Sequence, residues 1–369
     1  MKTVKHLWEY VFSFENMLLA AKKAQKGKRF QPDVANFHFR LEENLLALQE
    51  ELRTQTYKPG SYRAFYICDP KKRLISAAPY RDRVVHHALC NIIEPIFERG
   101  FIGDSYANRK CKGTHAAIER YQHFARRYRY VLKCDIRKFF PSIDHAILKQ
   151  EIRRRISCRA TLWLCDLILD NSNLQEEHIE YFPGDDLFTP HTRRRGLPIG
   201  NLTSQFWANV YFDRFDHFVC ENIKAPGYIR YVDDFVLFSN DKKQLAQWRE
   251  AIVERLAALR LSPHPDKTHI HCTKAGVPFL GYRVFPCYRY MLKIKTHRYR
   301  RYLRSMLELR RRKQLSPQTL ENRLNSWLGH LRFGQNKRLE QSIFQDLWCE
   351  GVNLHRHPRG SWRVLEQQY

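Results

Sequence analysis

The sequence predicts an α+β protein of two or three sub-domains, and three observations predict it. The chain has 369 residues, more than one ordinary hydrophobic core supports. It is 43% hydrophobic and 13% aromatic, enough to build a real core and to argue against disorder over the whole length. Stretches with helical periodicity and short runs with strand character both recur along it.

Residues 1–55 read as helical, because Leu41, Leu45, Leu48 and Leu52 recur at spacings of three and four on one face. Tyr57-Lys58-Pro59-Gly60 breaks that pattern. Residues 62–68 alternate bulky and small groups (Tyr62, Ala64, Tyr66, Cys68) as a strand does, Asp69-Pro70-Lys71-Lys72 makes a basic turn, and Arg73-Leu74-Ile75 can return as the partner strand. A basic tip of this kind can reach a phosphate chain, or it can be no more than a solvated turn. Residues 82–97 look helical, with an end near Glu94-Pro95, and Tyr130 to Asp135 reads as a strand ending in an acid. Residues 142–170 are mostly helical, 171–195 form a polar insertion containing Pro and Gly, and 201–222 look helical and aromatic-rich. Tyr228 to Ser239 reads as a strand pair, followed by a helix over 242–260 with Leu245, Trp248, Ile252, Leu256 and Leu259 on one stripe. No internal repeat or low-complexity tract interrupts this order.

Charge narrows the function. There are 64 Lys and Arg against 38 Asp and Glu, a formal net charge of +26, which points to a polyanionic partner. No run of 18 apolar residues exists, and Lys5, His6, Glu9 and Glu15 interrupt the first twenty residues, so neither a membrane span nor a secretion signal is expected. Nucleic acid is the better partner. The ten cysteines are scattered without a CxxC pair, which argues against a zinc ribbon and fits a reducing, cytoplasmic location. From Arg289 to Lys313 there are eleven Lys or Arg and one acid, Glu308, with Tyr290, Tyr299 and Tyr302 interleaved. Such a stretch can track a phosphate backbone and stack on bases, or it can be a solvated basic helix.

The acids carry the chemistry. Tyr228-Ile229-Arg230-Tyr231-Val232-Asp233-Asp234-Phe235-Val236-Leu237-Phe238 sets two adjacent carboxylates at the tip of two apolar strands. Two neighbouring negative charges that are partly buried call for a cation, and carboxylate oxygens favour Mg²⁺. Adjacent acids usually mark a solvated turn, but the flanks here are strands. Asp135 ends a strand of its own, before Ile136-Arg137-Lys138-Phe139-Phe140. Two strands delivering three carboxylates to one place is what two-metal nucleotidyl transfer needs. Gly184-Asp185-Asp186 is a decoy: it follows Pro183 in the polar insertion, lacks apolar strands on both sides, and reads as a loop.

At this point the order of segments resembles the palm and fingers of reverse transcriptases, from about residue 62 to about 285, and the tail to about 345 resembles a thumb. Tyr80 to Ala88 and Phe101 to His115 resemble the first two conserved blocks of bacterial and group II intron-like members. Asp135 to Phe140 and Tyr231 to Asp234 resemble the two catalytic motifs. Leu261 to Thr268 resembles the motif that brings a lysine, here Lys267, near the phosphates, and Phe279-Leu280-Gly281-Tyr282 resembles the primer grip. The resemblance implies a right-hand polymerase with fingers, palm and thumb, an antiparallel palm sheet and a helical thumb. Its parts would be an N-terminal helical segment over 1–60, fingers with part of the palm over 61–130, the palm over 131–285 with the 171–195 insertion, and a basic helical thumb and tail over 286–369.

It further implies two Mg²⁺ ions (Mn²⁺ able to substitute) at Asp135, Ile136, Asp233 and Asp234. Lys71, Lys72 and Arg73 match positions that grip the triphosphate, Arg73 best of them because Arg binds phosphate bidentately. Phe140, five residues beyond Asp135, would stand beside the bound sugar and leave no room for a 2′ hydroxyl; otherwise it is a core ring next to Phe139. Arg298, Arg300, Arg301 and Arg304 would touch nucleic acid. The partners implied are a template RNA, a cDNA or DNA primer, and dNTPs, with no membrane.

The most discriminating block is Gly196-Leu197-Pro198-Ile199-Gly200-Asn201-Leu202-Thr203-Ser204-Gln205, whose Ile199, Gly200 and Gln205 would meet the incoming nucleotide. Most reverse transcriptases have Gln where Ile199 stands and Pro where Gln205 stands. Ile199 with Gln205, and Ser326-Trp327-Leu328-Gly329-His330 in the tail, resemble the reverse transcriptases of diversity-generating retroelements. Those enzymes copy a template RNA with errors at adenines, and the cDNA replaces a variable region of a target gene, a process called mutagenic retrohoming. They work with a small basic accessory variability protein. No endonuclease, ribonuclease H or integrase domain is expected after the thumb, so target cleavage would come from elsewhere. Physically, Ile199 offers shape and apolar contact where Gln would hydrogen-bond, and a site without a polar check discriminates poorly; a neutral packing change is the bland account. Two rivals stay open: another bacterial reverse transcriptase of the retron, CRISPR-associated or phage-defence type, and a non-catalytic nucleic-acid-binding scaffold.

Overall fold

The computed structural model describes residues 3–68, 72–172, 179–349, 352–356 and 362–365. The chain divides into two compact units, one of Met1–Lys110, Leu132–Leu237 and Lys243–His269, the other of Cys111–Val131, Phe238–Lys242 and Ile270–Tyr369.

The first unit opens with four helices, Trp8–Phe12, Phe14–Ala24, Pro32–Phe39 and Leu41–Arg53. Ser13 caps the second by accepting from the Asn16 amide, and Pro32 starts the third, where its missing N–H has no partner to lose. The expected leucine stripe is real: Leu45, Leu48 and Leu52 are buried. Helix Phe14–Ala24 packs on helix Tyr80–Glu98, pinned by Asn16, whose amide donates to the carbonyls of Val11 (2.8 Å) and Ala88 (3.0 Å). Helix Tyr80–Glu98 runs through Pro95 rather than ending there. An interior proline costs about 3 kcal/mol, but the added turn buries Phe97, which offsets most of that cost.

Strands β1 (Arg63–Ile67) and β2 (Arg73–Ala77) pair antiparallel with Ile67 opposite Arg73, the hairpin expected from the basic turn. No residue of β1 is buried, so its alternation marks no core face. The main sheet holds β3 (Tyr130–Asp135), β4 (Gly227–Tyr231), β5 (Asp234–Ser239) and β6 (His269–Cys272) in the order β4-β5-β3-β6. β4 and β5 are joined by only two residues, which makes them an antiparallel hairpin. Helix Leu202–His217 is buried almost all round, as an aromatic-rich helix inside a unit must be, with Phe215 edge-on to Phe212 and Phe235. It does not continue regularly to residue 222: Phe218–Asn222 widens to a π turn, closed by the Ile223 amide on the Phe218 carbonyl. Residues 142–170 form helices His145–Arg153, capped by Asp144, and Arg159–Asp170. Part of the polar insertion, 173–178, lies outside the described residues. Helix Lys242–Ala258 buries Leu245, Ile252 and Leu256, the expected stripe.

In the second unit, helix Thr114–Arg127 accompanies an antiparallel ribbon of β7 (Val277–Phe279), β8 (Tyr282–Val284) and β9 (Arg289–Met291). Helices Lys293–Arg311, Pro317–Phe333 and Lys337–Cys349 follow, then a pair of strands, β10 (Asn353–Arg356) and β11 (Trp362–Leu365). Tyr299 does not face a ligand, as its place in the basic stretch suggested. It shares a helix face with buried Leu303, Met306 and Leu307 and stacks on Trp327 at 3.6 Å between ring centres. Tyr290 and Tyr302 do stay exposed.

Candidate active site

The site is built where β3 ends and β5 begins. Asp135 closes β3, and Val232-Asp233 forms the turn between β4 and β5, with Asp234 the first residue of β5. Val232 sits at φ +57°, a left-handed conformation uncommon for a β-branched residue. The segment after Asp135 is held by the segment around Pro263: the Asp135 carbonyl accepts from the His264 amide (2.7 Å), the Arg137 amide donates to the Ser262 carbonyl (2.9 Å), and Ile136 bridges to Pro263. That bridging is how Lys267 reaches the site, where its ammonium pairs with the Asp135 carboxylate.

Electrostatics mark the turn. Burial, reinforced by the Asp135 charge, pushes the Asp233 carboxyl up to about 6, with Arg73 and Lys267 opposing. Burial pushes Asp234 up to about 7, opposed by Lys133 and reinforced by Asp135 and Asp233. Lys133 lies 3.6 Å from Asp234 Oδ2, while Asp234 Oδ1 is buried with no hydrogen-bond partner. Crowded carboxylates with an orphaned oxygen suit a hard divalent cation. In this arrangement, however, Lys267 and Lys133 each neutralise one carboxylate, and among the described residues no three His, Cys, Asp or Glu side chains stand at metal-holding spacing. Lys267 and Lys133 thus occupy carboxylate oxygens that a cation would also use. The carboxylate oxygens of Asp135, Asp233 and Asp234 are the donors here that could hold Mg²⁺ or Mn²⁺.

The block around Ile199 connects the other predicted residues. The Gly196 amide donates to Ile143 (2.8 Å) and the Leu197 amide to the Phe140 carbonyl (2.9 Å). Two residues on, the Ile199 carbonyl accepts from Ser76 of β2 (3.0 Å), and Asn201 brackets the same strand through the Ser76 carbonyl (2.9 Å) and the Ala78 amide (3.3 Å). Gly200 has φ +116°, and a Cβ there would stand 3.1 Å from Ile75. Phe140, Ile199 and the β1–β2 hairpin are therefore tied together. Phe140 and Ile199 are half-buried, whereas Gln205 is exposed on the first turn of its helix. Arg73 is exposed at the start of β2, Lys72 lies 4.4 Å from the Tyr66 ring centre, and Lys71 lies outside the described residues.

The remaining predicted residues belong to the second unit. Phe279 pairs with Tyr282 across a two-residue turn, Leu280-Gly281, whose φ values of +47° and +91° suit a tight hairpin. Phe279 is buried against Tyr121, and the Tyr282 hydroxyl donates to the His330 carbonyl (2.7 Å), so the turn itself is the accessible part. On helix Lys293–Arg311, Arg301 and Arg304 are exposed and Arg298 is half-exposed, while Arg300 turns to Ser342 (2.6 Å) and Asp346 (3.6 Å). The Gly184-Asp185-Asp186 decoy is a loop, as expected: Asp185 pairs with Arg193, and Asp186 accepts from the Phe188 and Thr189 amides at the start of a short helix.

Sequence reasoning passed over Lys133 and a buried arginine, Arg230. The signal was present for the second, since an arginine inside an apolar strand must be paired if buried.

Comparison with known proteins identifies the family. Residues 58–284 match the family model "Reverse transcriptase (RNA-dependent DNA polymerase)". The chain belongs to the reverse transcriptase family, the RNA-directed DNA polymerases. It is 28% identical over 290 residues to Protein YkfC of Escherichia coli (strain K12), which covers 66% of this chain and 72% of that protein. It is 26% identical over 215 residues to the group II intron-encoded protein LtrA of Lactococcus lactis subsp. cremoris, covering 58% of this chain and 33% of LtrA. A solved structure of apo telomerase from Candida tropicalis, truncated from the C-terminal domain, aligns with a TM-score of 0.44 at 13% identity, covering 68% of this chain and 60% of that one. The fold is α+β with antiparallel sheets. No helix of the described residues is long and apolar enough to cross a membrane, and the cysteines from Cys68 to Cys287 are free thiols.

Proposed function

We propose that this chain copies a template RNA into cDNA from a DNA primer, with Asp135, Asp233 and Asp234 as its catalytic acids. One observation carries the reading: two acids crowded at the β4–β5 turn lie within electrostatic reach of a third at the end of β3. Divalent ions bound there would lower the pKa of a primer 3′ hydroxyl and neutralise the triphosphate. The chain's own residues do the rest. Lys267 leaves Asp135 for a phosphate, Arg73 grips the triphosphate, and Phe140 closes the space a 2′ hydroxyl would need. Gly200 and Gln205 would meet the incoming nucleotide together with Ile199. The Leu280-Gly281 turn supports the primer, and Arg298, Arg301 and Arg304 follow the backbone. Asp135→Ala and Asp233→Ala should abolish primer extension on RNA while RNA binding persists. Either variant keeping more than a few per cent of wild-type activity removes that residue from the mechanism.

We infer further that the enzyme is the error-prone polymerase of a diversity-generating retroelement, acting in mutagenic retrohoming with a small basic accessory protein in the cytoplasm. Ile199 with Gln205 supports this, in a block whose backbone is bonded to β2 at Ile199 itself. Sequencing cDNA made on a defined RNA tests it: substitutions concentrated opposite template adenine support the reading, and an even, low error spectrum refutes it. That second outcome would favour a role closer to the group II intron-encoded relative.

A further inference from the structure

Directly before the Tyr231–Asp234 turn stands a charged residue that the roles above leave unexplained. Arg230 and Asp216, on β4 and on helix Leu202–His217, form an ion pair in which both side chains are 0% exposed. Arg230 Nε donates to Asp216 Oδ1 (2.8 Å) and Nη2 to Asp216 Oδ2 (2.7 Å), and the Tyr228 hydroxyl donates to the same carboxylate (2.7 Å). The remaining donors reach outward: Nη2 to Ser105 Oγ (3.1 Å), and Nη1 to Asn209 Oδ1 (3.1 Å) and the Val232 carbonyl (3.2 Å). A guanidinium has five N–H groups, and here each has an acceptor. The backbone is held too, with the Arg230 amide donating to Asp104 (3.0 Å) and its carbonyl accepting from Tyr106 (2.9 Å).

A buried ion pair is a weak source of stability, because desolvation cancels much of the attraction and an apolar pair of similar volume can pack as well. What an apolar pair cannot do is hold the Val232 carbonyl. That carbonyl belongs to the peptide joining Val232 to Asp233, and Val232 occupies a left-handed conformation that persists only where its surroundings enforce it. Fixing the oxygen fixes the plane of that peptide, and with it the direction in which the Asp233 side chain departs.

We propose that Arg230 is a positioning residue: anchored on Asp216, it clamps the Val232–Asp233 peptide and so aims the Asp233 carboxylate. The proposal rests on the assignment of Asp233 as a catalytic acid. It is tested on the full chain with Arg230→Lys, Arg230→Met and the double variant Arg230→Met/Asp216→Leu. Melting temperature, amide exchange of the 227–239 hairpin in chelator, primer-extension kinetics and the Mg²⁺ midpoint are measured for each. Arg230→Met alone should melt early, since it leaves a buried carboxylate unpaired. The double variant should recover melting temperature. Its hairpin should still exchange faster than wild type, its kcat should stay roughly 100-fold down, the scale of an ångström-sized misplacement, and its Mg²⁺ midpoint should rise. KM for template–primer should be unchanged. A double variant with wild-type exchange and wild-type kcat overturns the proposal. Should the double variant not fold, Arg230→Lys decides: it keeps a cation for Asp216 but cannot span to Val232, so wild-type kcat and exchange there also overturn it. Asp233→Ala run in parallel isolates the premise. If that variant stays active, the assignment of Asp233 fails, and the metal-free exchange of the hairpin alone decides the clamp.

Discussion

Asp233→Asn separates what the acidic turn costs the fold from what it contributes to chemistry. Folding raises the Asp233 carboxyl from 3.8 to about 6, through burial first and the Asp135 charge second. A shift of about two pH units is worth about 3 kcal/mol, at roughly 1.4 kcal/mol per unit. Because the folded value is the higher one, the folded state binds the extra proton between pH 4 and 6. Stability therefore falls as pH rises through that window, and the full penalty applies above it. Asparagine carries no charge and should recover about 1–3 kcal/mol at pH 8, the lower figure applying because Asp135 and Asp234 share the repulsion and single-site effects do not add. At pH 5 the folded carboxyl is mostly protonated already, so the gain should be smaller by about 1 kcal/mol. Urea denaturation of both proteins in chelator at pH 5 and pH 8 measures this. Adding Mg²⁺ at pH 8 should narrow the gap, because a cation that binds the folded wild type stabilises it and has less to bind in the variant. Equal stability at pH 8, or a gain that does not change with pH, would refute the reasoning.

Phe140→Ala should admit ribonucleotides, raising the rNTP/dNTP efficiency ratio roughly 10–100-fold, as expected when a steric wall is removed; an unchanged ratio would assign the ring to packing against Phe139 alone. Neutralising Arg301 and Arg304, both exposed on helix Lys293–Arg311, should flatten the log–log salt dependence of RNA binding by about 1.5 units. The same change at Arg300 should do less, because that side chain is engaged by Ser342 and Asp346. Ile199→Gln should lower misincorporation opposite adenine, because shape alone supplies only about 1–3 kcal/mol of discrimination and a hydrogen bond adds to it. Equal adenine error in the two cDNA pools would shift attention to Gln205 or to the proposed accessory protein.

Much of the scaffold of the site was legible without coordinates. A strand ending in Asp135, a hairpin tipped by Asp233 and Asp234, a basic ribbon from Arg63 to Ala77 and a leucine-striped helix are each written in neighbouring residues, where a period of two or near 3.6 shows which face is apolar. Composition alone pointed to nucleic acid, because charge adds up regardless of fold. The tertiary structure decided the rest. Lys267 reaches Asp135, Ser76 holds Ile199, and Arg230 meets Ser105 and Asp216, all across long sequence separations that no local period encodes. The same holds for the corrections. Tyr299 in the basic helix looked like a stacking surface, yet Trp327 claims it. Pro95 looked like a stop, yet burial of Phe97 carries the helix past it. Periodicity reports which side of a segment is apolar, and it is silent on what that side will meet; only the packing of distant segments assigns partners, and the partners set the charge, strain and access that turn a list of residues into a site.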